Sequence, residues 1–350
     1  MDVAILVKVL VGWLVIFVAL SKVCEKVEEA ATHLATRLKL PASVAGATLL
    51  ATSSSAPEFF TSTSAAVLHG VFEVGLITIV WSALFNILVI PGFVSLASPQ
   101  SLKISKEVMH RDGVGYLGTV FIVLLVIWDE MLTRQDAVIM LILYAVYLHV
   151  IRLMAEAHKE ETEEIEEGEE LLSPGMIALY FAVGLALIGV GTHFMIELGF
   201  ELGEAAAIDV LIFSAFIFAP GTSVPDLMMS YFSAKRGEGS AAISNVFGSN
   251  VFDLTICLAV PILIVGDTMI ELGPVWPSII MLVVVQCMVL LFVRTGWKIE
   301  KWEGVMMLVA FVVCCVIFLF TMPSESGAAE HSGAPGVEQV EAEGTGLAPD

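Results

Sequence analysis

The chain has 350 residues, a formal net charge of −21, and 57% hydrophobic against only 15% charged residues. Soluble domains carry about 25% charged residues, and the mean hydropathy here is +0.90, so a soluble globule of this length is excluded. With no basic patch or aromatic platform, a nucleic-acid partner is excluded too.

Ten apolar segments follow in chain order: Val3–Leu20, Pro41–Val67, Val74–Leu96, Val114–Trp128, Ala137–Met154, Met176–Ile196, Ala205–Ser233, Ala241–Val265, Val275–Phe292 and Val305–Met322. Runs of about 18 or more apolar residues mark transmembrane helices, and the fourth is short by that measure. The first lacks a small-residue cleavage site and is read as a retained span, not a signal peptide. The segmentation divides the chain into a first five-helix repeat (1–155), an acidic linker (156–173), a second five-helix repeat (174–322) and a Gly-, Ala-, Pro- and Glu-rich tail (323–350). Linker and tail hold much of the negative charge and read as disordered. The five cysteines show no CxxC pair or regular spacing, so neither a zinc site nor a disulfide framework is expected.

Basic residues test the segmentation independently. All but Lys8 and Arg134 of the 16 fall in alternate loops: Lys22, Lys26, Arg37 and Lys39; Lys103, Lys106 and Arg111; Arg152 and Lys159; Lys235 and Arg236; Arg294, Lys298 and Lys301. The positive-inside rule puts those loops and the linker in the cytoplasm and both termini outside, in the plasma (inner) membrane. Five spans on each side of the linker give the halves opposite orientations. The expected fold is therefore an all-α polytopic membrane protein, ten transmembrane helices in two inverted five-helix repeats, the plan of many secondary transporters.

The halves are related where their chemistry is unusual. The second segment reads T-S-S-S-A-P-E-F-F-T-S and the seventh A-P-G-T-S-V-P-D-L-M-M-S. Ser54, Ser55, Pro57 and Glu58 therefore answer to Thr222, Ser223, Pro225 and Asp226, all at one constant offset along the chain. The third segment reads W-S-A-L-F-N, with Ser82 and Asn86. The eighth reads G-S-N-V-F-D, with Ser249 and Asp253, at an offset shorter by a single position. A mid-membrane carboxylate costs at least ~2.5–3.5 kcal/mol and needs a partner or a wet cavity. No basic residue lies in those spans to supply one. Pro57 and Pro225 lack an N–H and free the carbonyls of Ser53 and Gly221. Helical spacing of four puts Ser54 with Glu58, Thr222 with Asp226, Ser82 with Asn86 and Ser249 with Asp253 on shared faces. All these ligands are hard oxygens, which suits Ca²⁺; transition metals want His, Cys or Met, and Mg²⁺ a rigid octahedron. Ser62, Thr63 and Ser64 are read as packing residues. His193, Glu197, Glu201, Glu204 and Asp209 are read as interfacial, with an outer ion vestibule as the alternative.

These motifs resemble the alpha repeats of the calcium/cation antiporter superfamily. S-S-A-P-E-F-F-T-S, G-T-S-V-P-D and G-S-N-V-F-D are most similar to the potassium-dependent branch of the sodium/calcium exchangers. The resemblance is strongest over Gly46–Gly92 and Ala219–Pro261. It implies exchange of Ca²⁺ for Na⁺ by alternating access, spans 1 and 6 rocking past the rest. It implies a Ca²⁺ site at Glu58 and Asp226 with backbone oxygens of Ser54 and Thr222, and Na⁺ sites drawing on Ser55, Ser82, Asn86, Ser223, Ser249 and Asp253. In that family an acid at the Asp253 position accompanies K⁺ dependence. Trp81 departs from the pattern, where a glycine is usual, and Ala83 stands opposite Asn250. The expected partners are the transported ions Ca²⁺ and Na⁺, with K⁺ as a third candidate, and the lipid bilayer; no cofactor and no obligate protein partner are indicated. Alternatives on the same scaffold are an H⁺/Ca²⁺ or other cation antiporter and, more remotely, a cation channel. An enzyme is not expected: an intramembrane aspartyl protease would need a Gly-x-Gly-Asp context that is absent.

Overall fold

In the computed structural model, residues 3–98, 101–157, 171–206, 209–273, 275–294 and 296–322 are described; most of the acidic linker and the whole tail lie outside them. Among the described residues, nine helices are long and apolar enough to cross a membrane. Their exposed faces carry large hydrophobic side chains such as Leu14, Phe121, Val284 and Phe320, as lipid contact requires. The tenth span is the Ser/Thr-rich second segment, a helix in pieces over Ala42–Ala45, Gly46–Leu50, Ala51–Ser54 and Ala56–His69.

Span 1 runs over Val3–Leu38, well past the apolar segment's end at Leu20. Hydropathy marks only the stretch in lipid, so Lys22, Lys26 and Arg37 lie on a helix, not in a loop. Span 3 is Phe72–Ala97, span 5 Arg134–Ala157, span 6 Pro174–Ala206, span 8 Gly239–Val265, span 9 Trp276–Arg294 and span 10 Lys301–Thr321. Span 4 begins at Lys106 and passes through a π-turn, Met109–Gly113, before Val114–Ile127. Arg111 is thereby buried inside span 4, in an ion pair with Asp112 at 2.7 Å, where the sequence reading had it in a loop. Span 7 is broken like span 2: Val210–Phe213, a π-turn Ser214–Phe218, Ala219–Thr222, then Val224–Lys235.

The inverted repeat is visible down to single turns. The offset that carries Glu58 to Asp226 also carries the π-turn Gly46–Leu50 to Ser214–Phe218, and the short helix Ala51–Ser54 to Ala219–Thr222. Ser55 (φ −81, ψ 7) and Ser223 (φ −79, ψ 2) leave the helical region alike. The same symmetry relates two small ribbons. Strand β1 (Leu102–Lys103) pairs antiparallel with β4 (Lys298–Ile299), and β2 (Met131–Leu132) with β3 (Thr268–Met269). Leu102 faces Ile299 and Met131 faces Met269. The offset between spans 3 and 8 carries Leu102 to Met269, and that between spans 2 and 7 carries Met131 to Ile299. One ribbon is therefore the image of the other. Glu130 (φ 61) and Trp297 (φ 57) are left-handed at equivalent places, and their carbonyls accept from the Ile270 and Ile104 amides.

Spans 3 and 8 form the buried centre. Span 8 packs on span 2 at Gly248, where an added Cβ would lie 2.6 Å from the Ala47 carbonyl oxygen. Only glycine permits that approach. The equivalent place in span 3 is Trp81, fully buried, its indole N–H donating to Ser278 Oγ at 3.0 Å. Its ring meets Phe216, Phe311 and Phe318 edge-on. The two halves therefore pack differently at their centres: span 8 lies close on span 2, whereas an aromatic cluster fills the corresponding region beside span 7. Spans 1 and 6 lie together, with Val27 against Gly184, where no Cβ would fit.

Candidate cation site

All ten residues singled out by the motifs (Ser54, Ser55, Glu58, Ser82, Asn86, Thr222, Ser223, Asp226, Ser249 and Asp253) are fully buried. The breaks in spans 2 and 7 deliver the first acids. At each break two backbone bonds bridge the gap: Ser55 N–H to Ala51 O and Phe59 N–H to Ser55 O in span 2, and Ser223 N–H to Ala219 O and Leu227 N–H to Ser223 O in span 7. The helices that follow start with Glu58 and Asp226 in their first turns, at the positive end of the helix dipole. Ser54 and Glu58 are thus split across a bend, not stacked on one continuous face as helical spacing predicts; Thr222 and Asp226 are split likewise. The half-helices before each break end in carbonyls that point onward.

Several hydrogen bonds cross between the halves. Ser82 donates to Glu58 Oε1 at 3.2 Å and lies 2.8 Å from Ser223 Oγ. Ser223 Oγ is itself 3.3 Å from Glu58 Oε1. Asn86 donates to Asp226 Oδ2 at 2.9 Å, and Ser249 to Asp226 Oδ1 at 2.6 Å. Ser54 Oγ is 3.2 Å from Ser249 Oγ. Thr222 Oγ1 turns back to the Ala219 carbonyl, 3.1 Å away. Asp253 lies 3.6 Å from the Cys257 thiol.

One oxygen from each of Glu58, Asp226 and Asp253 lies within 4.8 Å of the others. Two oxygens on opposite sides of a bound Ca²⁺, each at ~2.3–2.6 Å, stand about 5 Å apart. The three are therefore close enough together to be candidates for holding one ion. Among the described residues none of the three pairs with a Lys, Arg or His. Several oxygens there make no hydrogen bond of normal geometry: Ser55 Oγ, Glu58 Oε2, Asn86 Oδ1 and Asp253 Oδ2. Buried acceptors without donors, beside uncompensated acids, want a cation.

Sequence reasoning missed the shell that holds these groups. Asn245 donates to Ser230 Oγ at 3.0 Å and lies 3.4 Å from the Asp226 carbonyl. Asn250 donates to the Ala83 carbonyl at 3.2 Å and accepts from Asn86 at 3.1 Å. Asn250 thus bonds the backbone carbonyl of its own opposite number, Ala83. Ser62 bonds the Cys257 carbonyl at 2.8 Å, the packing role expected of it. Asp209 caps span 7 through Leu211 N–H at 2.8 Å. His193, Glu197 and Glu201 instead line a cavity of about 1090 Å³ at the N-terminal face, which extends to Thr61, one helical turn beyond Glu58.

A family model described as sodium/calcium exchanger protein matches residues 8–152 and 176–320, two stretches whose starts repeat the offset of the motifs. The chain belongs to that family. It is 26% identical to the Escherichia coli inner membrane protein YrbG over 300 residues, 84% of this chain and 91% of that one. It is 28% identical over 135 residues to the Methanosarcina acetivorans sodium/calcium exchanger MaX1, 39% of this chain and 38% of that one. It is 35% identical over 145 residues to human sodium/potassium/calcium exchanger 3, 40% of this chain and 20% of that protein. A solved structure of the sodium-calcium exchanger NCX_Mj shares the fold, with a TM-score of 0.69 and 25% identity over 90% of this chain and 99% of that one. The protein is thus an integral membrane protein of the exchanger family, and it shares its fold with a solved sodium-calcium exchanger.

Proposed function

We propose that this chain exchanges Ca²⁺ for Na⁺ through the site built from Glu58, Asp226 and Asp253. The observation that carries the reading is the convergence of three buried carboxylates within 4.8 Å, with no basic partner among the described residues. A divalent cation, or several monovalent ones, neutralises the cluster; without cargo the acids repel one another in a poorly screened interior. Glu58 and Asp226 supply the centre, with backbone oxygens at the broken ends of Ser54 and Thr222. Ser55, Ser82, Asn86, Ser223, Ser249 and Asp253 supply the flanking oxygens used by Na⁺. Either cargo makes the site compact and neutral enough for the span 1 and span 6 pair to move past it, and the empty site resists that movement. This coupling is what makes the protein an exchanger and not a channel.

The basic loops favour an orientation with both termini outside and the acidic linker in the cytoplasm. The cavity beside Thr61 is then an external entrance. A K⁺-coupled variant of the reading draws support from Asp253, a third acid with one unpartnered oxygen, and from the partial likeness to the human sodium/potassium/calcium exchanger. Ca²⁺ uptake into proteoliposomes under an outward Na⁺ gradient, with and without K⁺, tests both. Uptake should follow the Na⁺ gradient. Uptake driven equally well by a pH gradient alone would favour the H⁺/Ca²⁺ alternative, and flux without counter-ion would favour a channel.

A further inference from the structure

Away from the cation site, span 1 and the end of span 7 are joined by a buried charge. Glu28 is 2% exposed and both its oxygens accept from the Arg236 guanidinium, a two-pronged pair. Arg236 is itself 36% exposed at the side chain. It also donates to Thr32 Oγ1 and Glu238 Oε2, each at 3.1 Å, and Ser233 Oγ lies 3.4 Å from Glu28. Beside the pair lies a buried apolar plug that includes Leu20, Cys24, Val27, Leu50 and Met229. Neither Glu28 nor Arg236 bonds to the acids of the cation site.

The repeat makes the pair informative. The offset between spans 2 and 7 carries Glu28 to Ile196, Thr32 to Phe200, Ala65 to Ser233 and Leu68 to Arg236. All four apolar counterparts (Ile196, Phe200, Ala65 and Leu68) line the open cavity on the opposite face. Met229, fully buried in the plug, has as its counterpart Thr61, which lines the same cavity. Positions that carry the ion pair and its apolar surroundings on one face thus answer to cavity-lining positions on the other. The Glu28–Arg236 pair has no charged counterpart at the equivalent positions of the open face; the ion pair on that cavity's wall, Lys8 with Glu201, joins spans 1 and 6 to each other and not to span 2.

We propose that Glu28–Arg236 is a one-sided ionic latch: it holds the span 1 and span 6 pair in the state open at the N-terminal face, and it must part before the opposite state forms. In that opposite state the equivalent positions, Ile196 and Phe200 against Ala65 and Leu68, offer no ion pair across the closing seam. The two states are thus held by different forces, although the fold that makes them is symmetric. A buried carboxylate that loses its guanidinium strongly destabilises the closed arrangement and gains water when the face opens. This inference rests on the alternating-access reading above.

Cysteine accessibility tests it in nanodiscs, where both faces meet solvent and no flux is needed. Leu68→Cys reports the open face and Met229→Cys the latched one, each read as the rate of labelling by a charged maleimide above that of the native cysteines. Removing the latch, by Glu28→Gln or Arg236→Ala, should slow labelling at 68 and quicken it at 229, each roughly tenfold. Glu28→Gln keeps the side chain's shape and decides the matter if Arg236→Ala fails to fold. The exchanged pair Glu28→Arg with Arg236→Glu should restore both rates. Rates unchanged in both variants, both sites quickening together as in a loosened protein, or no recovery in the exchanged pair would each overturn the latch. Because labelling is independent of ion flux, its failure leaves the exchange reading standing, and an absence of Na⁺-driven flux leaves the latch standing.

Discussion

Asn86 of span 3 donates its amide to Asp226 of span 7 at 2.9 Å, so the amide of one half serves the acid of the other. The same amide nitrogen also meets Asn250 Oδ1. Both of its protons are used, and Asn86 Oδ1 is left without a donor. Asn86→Ala should remove that free oxygen and one donor to Asp226. A loss of about tenfold or more in apparent Ca²⁺ affinity is expected, on the scale of one hydrogen bond to a charged group. Ca²⁺ dependence of uptake under a fixed Na⁺ gradient measures it.

Glu58→Gln and Asp253→Asn should differ in kind. The first removes an acid at the centre of the cluster and should abolish Na⁺-driven Ca²⁺ uptake. The second leaves Glu58 and Asp226 to share one ion, so Ca²⁺ uptake should persist while any stimulation by K⁺ disappears. Normal uptake by Glu58→Gln would remove Glu58 from the site.

Arg111 and Asp112 form a buried pair, 2.7 Å apart, that also takes Ser244 Oγ at 2.7 Å and the Ser43 carbonyl at 3.2 Å. Arg111→Ala strands Asp112 and should cost about 3–5 kcal/mol of stability. The double change Arg111→Met with Asp112→Leu should recover most of the loss. Thermal unfolding in one detergent, compared across the three proteins, reads the difference.

Trp81 and Gly248 occupy equivalent places with opposite needs. Trp81→Ala should leave a hole worth about 3–5 kcal/mol. Gly248→Ala should press on the Ala47 backbone at 2.6 Å and cost about 1–3 kcal/mol. Both should lower the melting temperature, but Gly248→Ala should also depress uptake, because span 2 carries Glu58.

The ten spans were legible because lipid demands long apolar helices, and the ten candidate positions stood out because intramembrane polar residues are rare and here recur at a fixed offset. The bends were legible only in part. Proline marks Pro57 and Pro225, but the backbone turns at Ser55 and Ser223, and nothing local announces the π-turns before them. Glu28 escaped notice, and Arg111 and Arg236 read as loop residues, for a different reason. Each lies among other charges near a span's end, where hydropathy reads a solvated loop, and only packing reveals the burial of Glu28 and Arg111 and the pairing of Arg236. Asn245 and Asn250 sit on span 8 amid small and apolar residues; their partners lie on spans 7 and 3, beyond the reach of any spacing rule.

The paired ribbons have a mechanical meaning. β1 and β4 fasten the span 3–4 connection to that between spans 9 and 10, while β2 and β3 fasten the connection between spans 4 and 5 to the one between spans 8 and 9. Six helices are thus stapled together at both membrane surfaces, one staple above and its mirror partner below. Spans 1, 2, 6 and 7 carry no strand of either staple. The molecule reads as a chassis with a carriage: the stapled six form the track, and spans 1 and 6, which carry no staple, are the pair proposed above to shift along it.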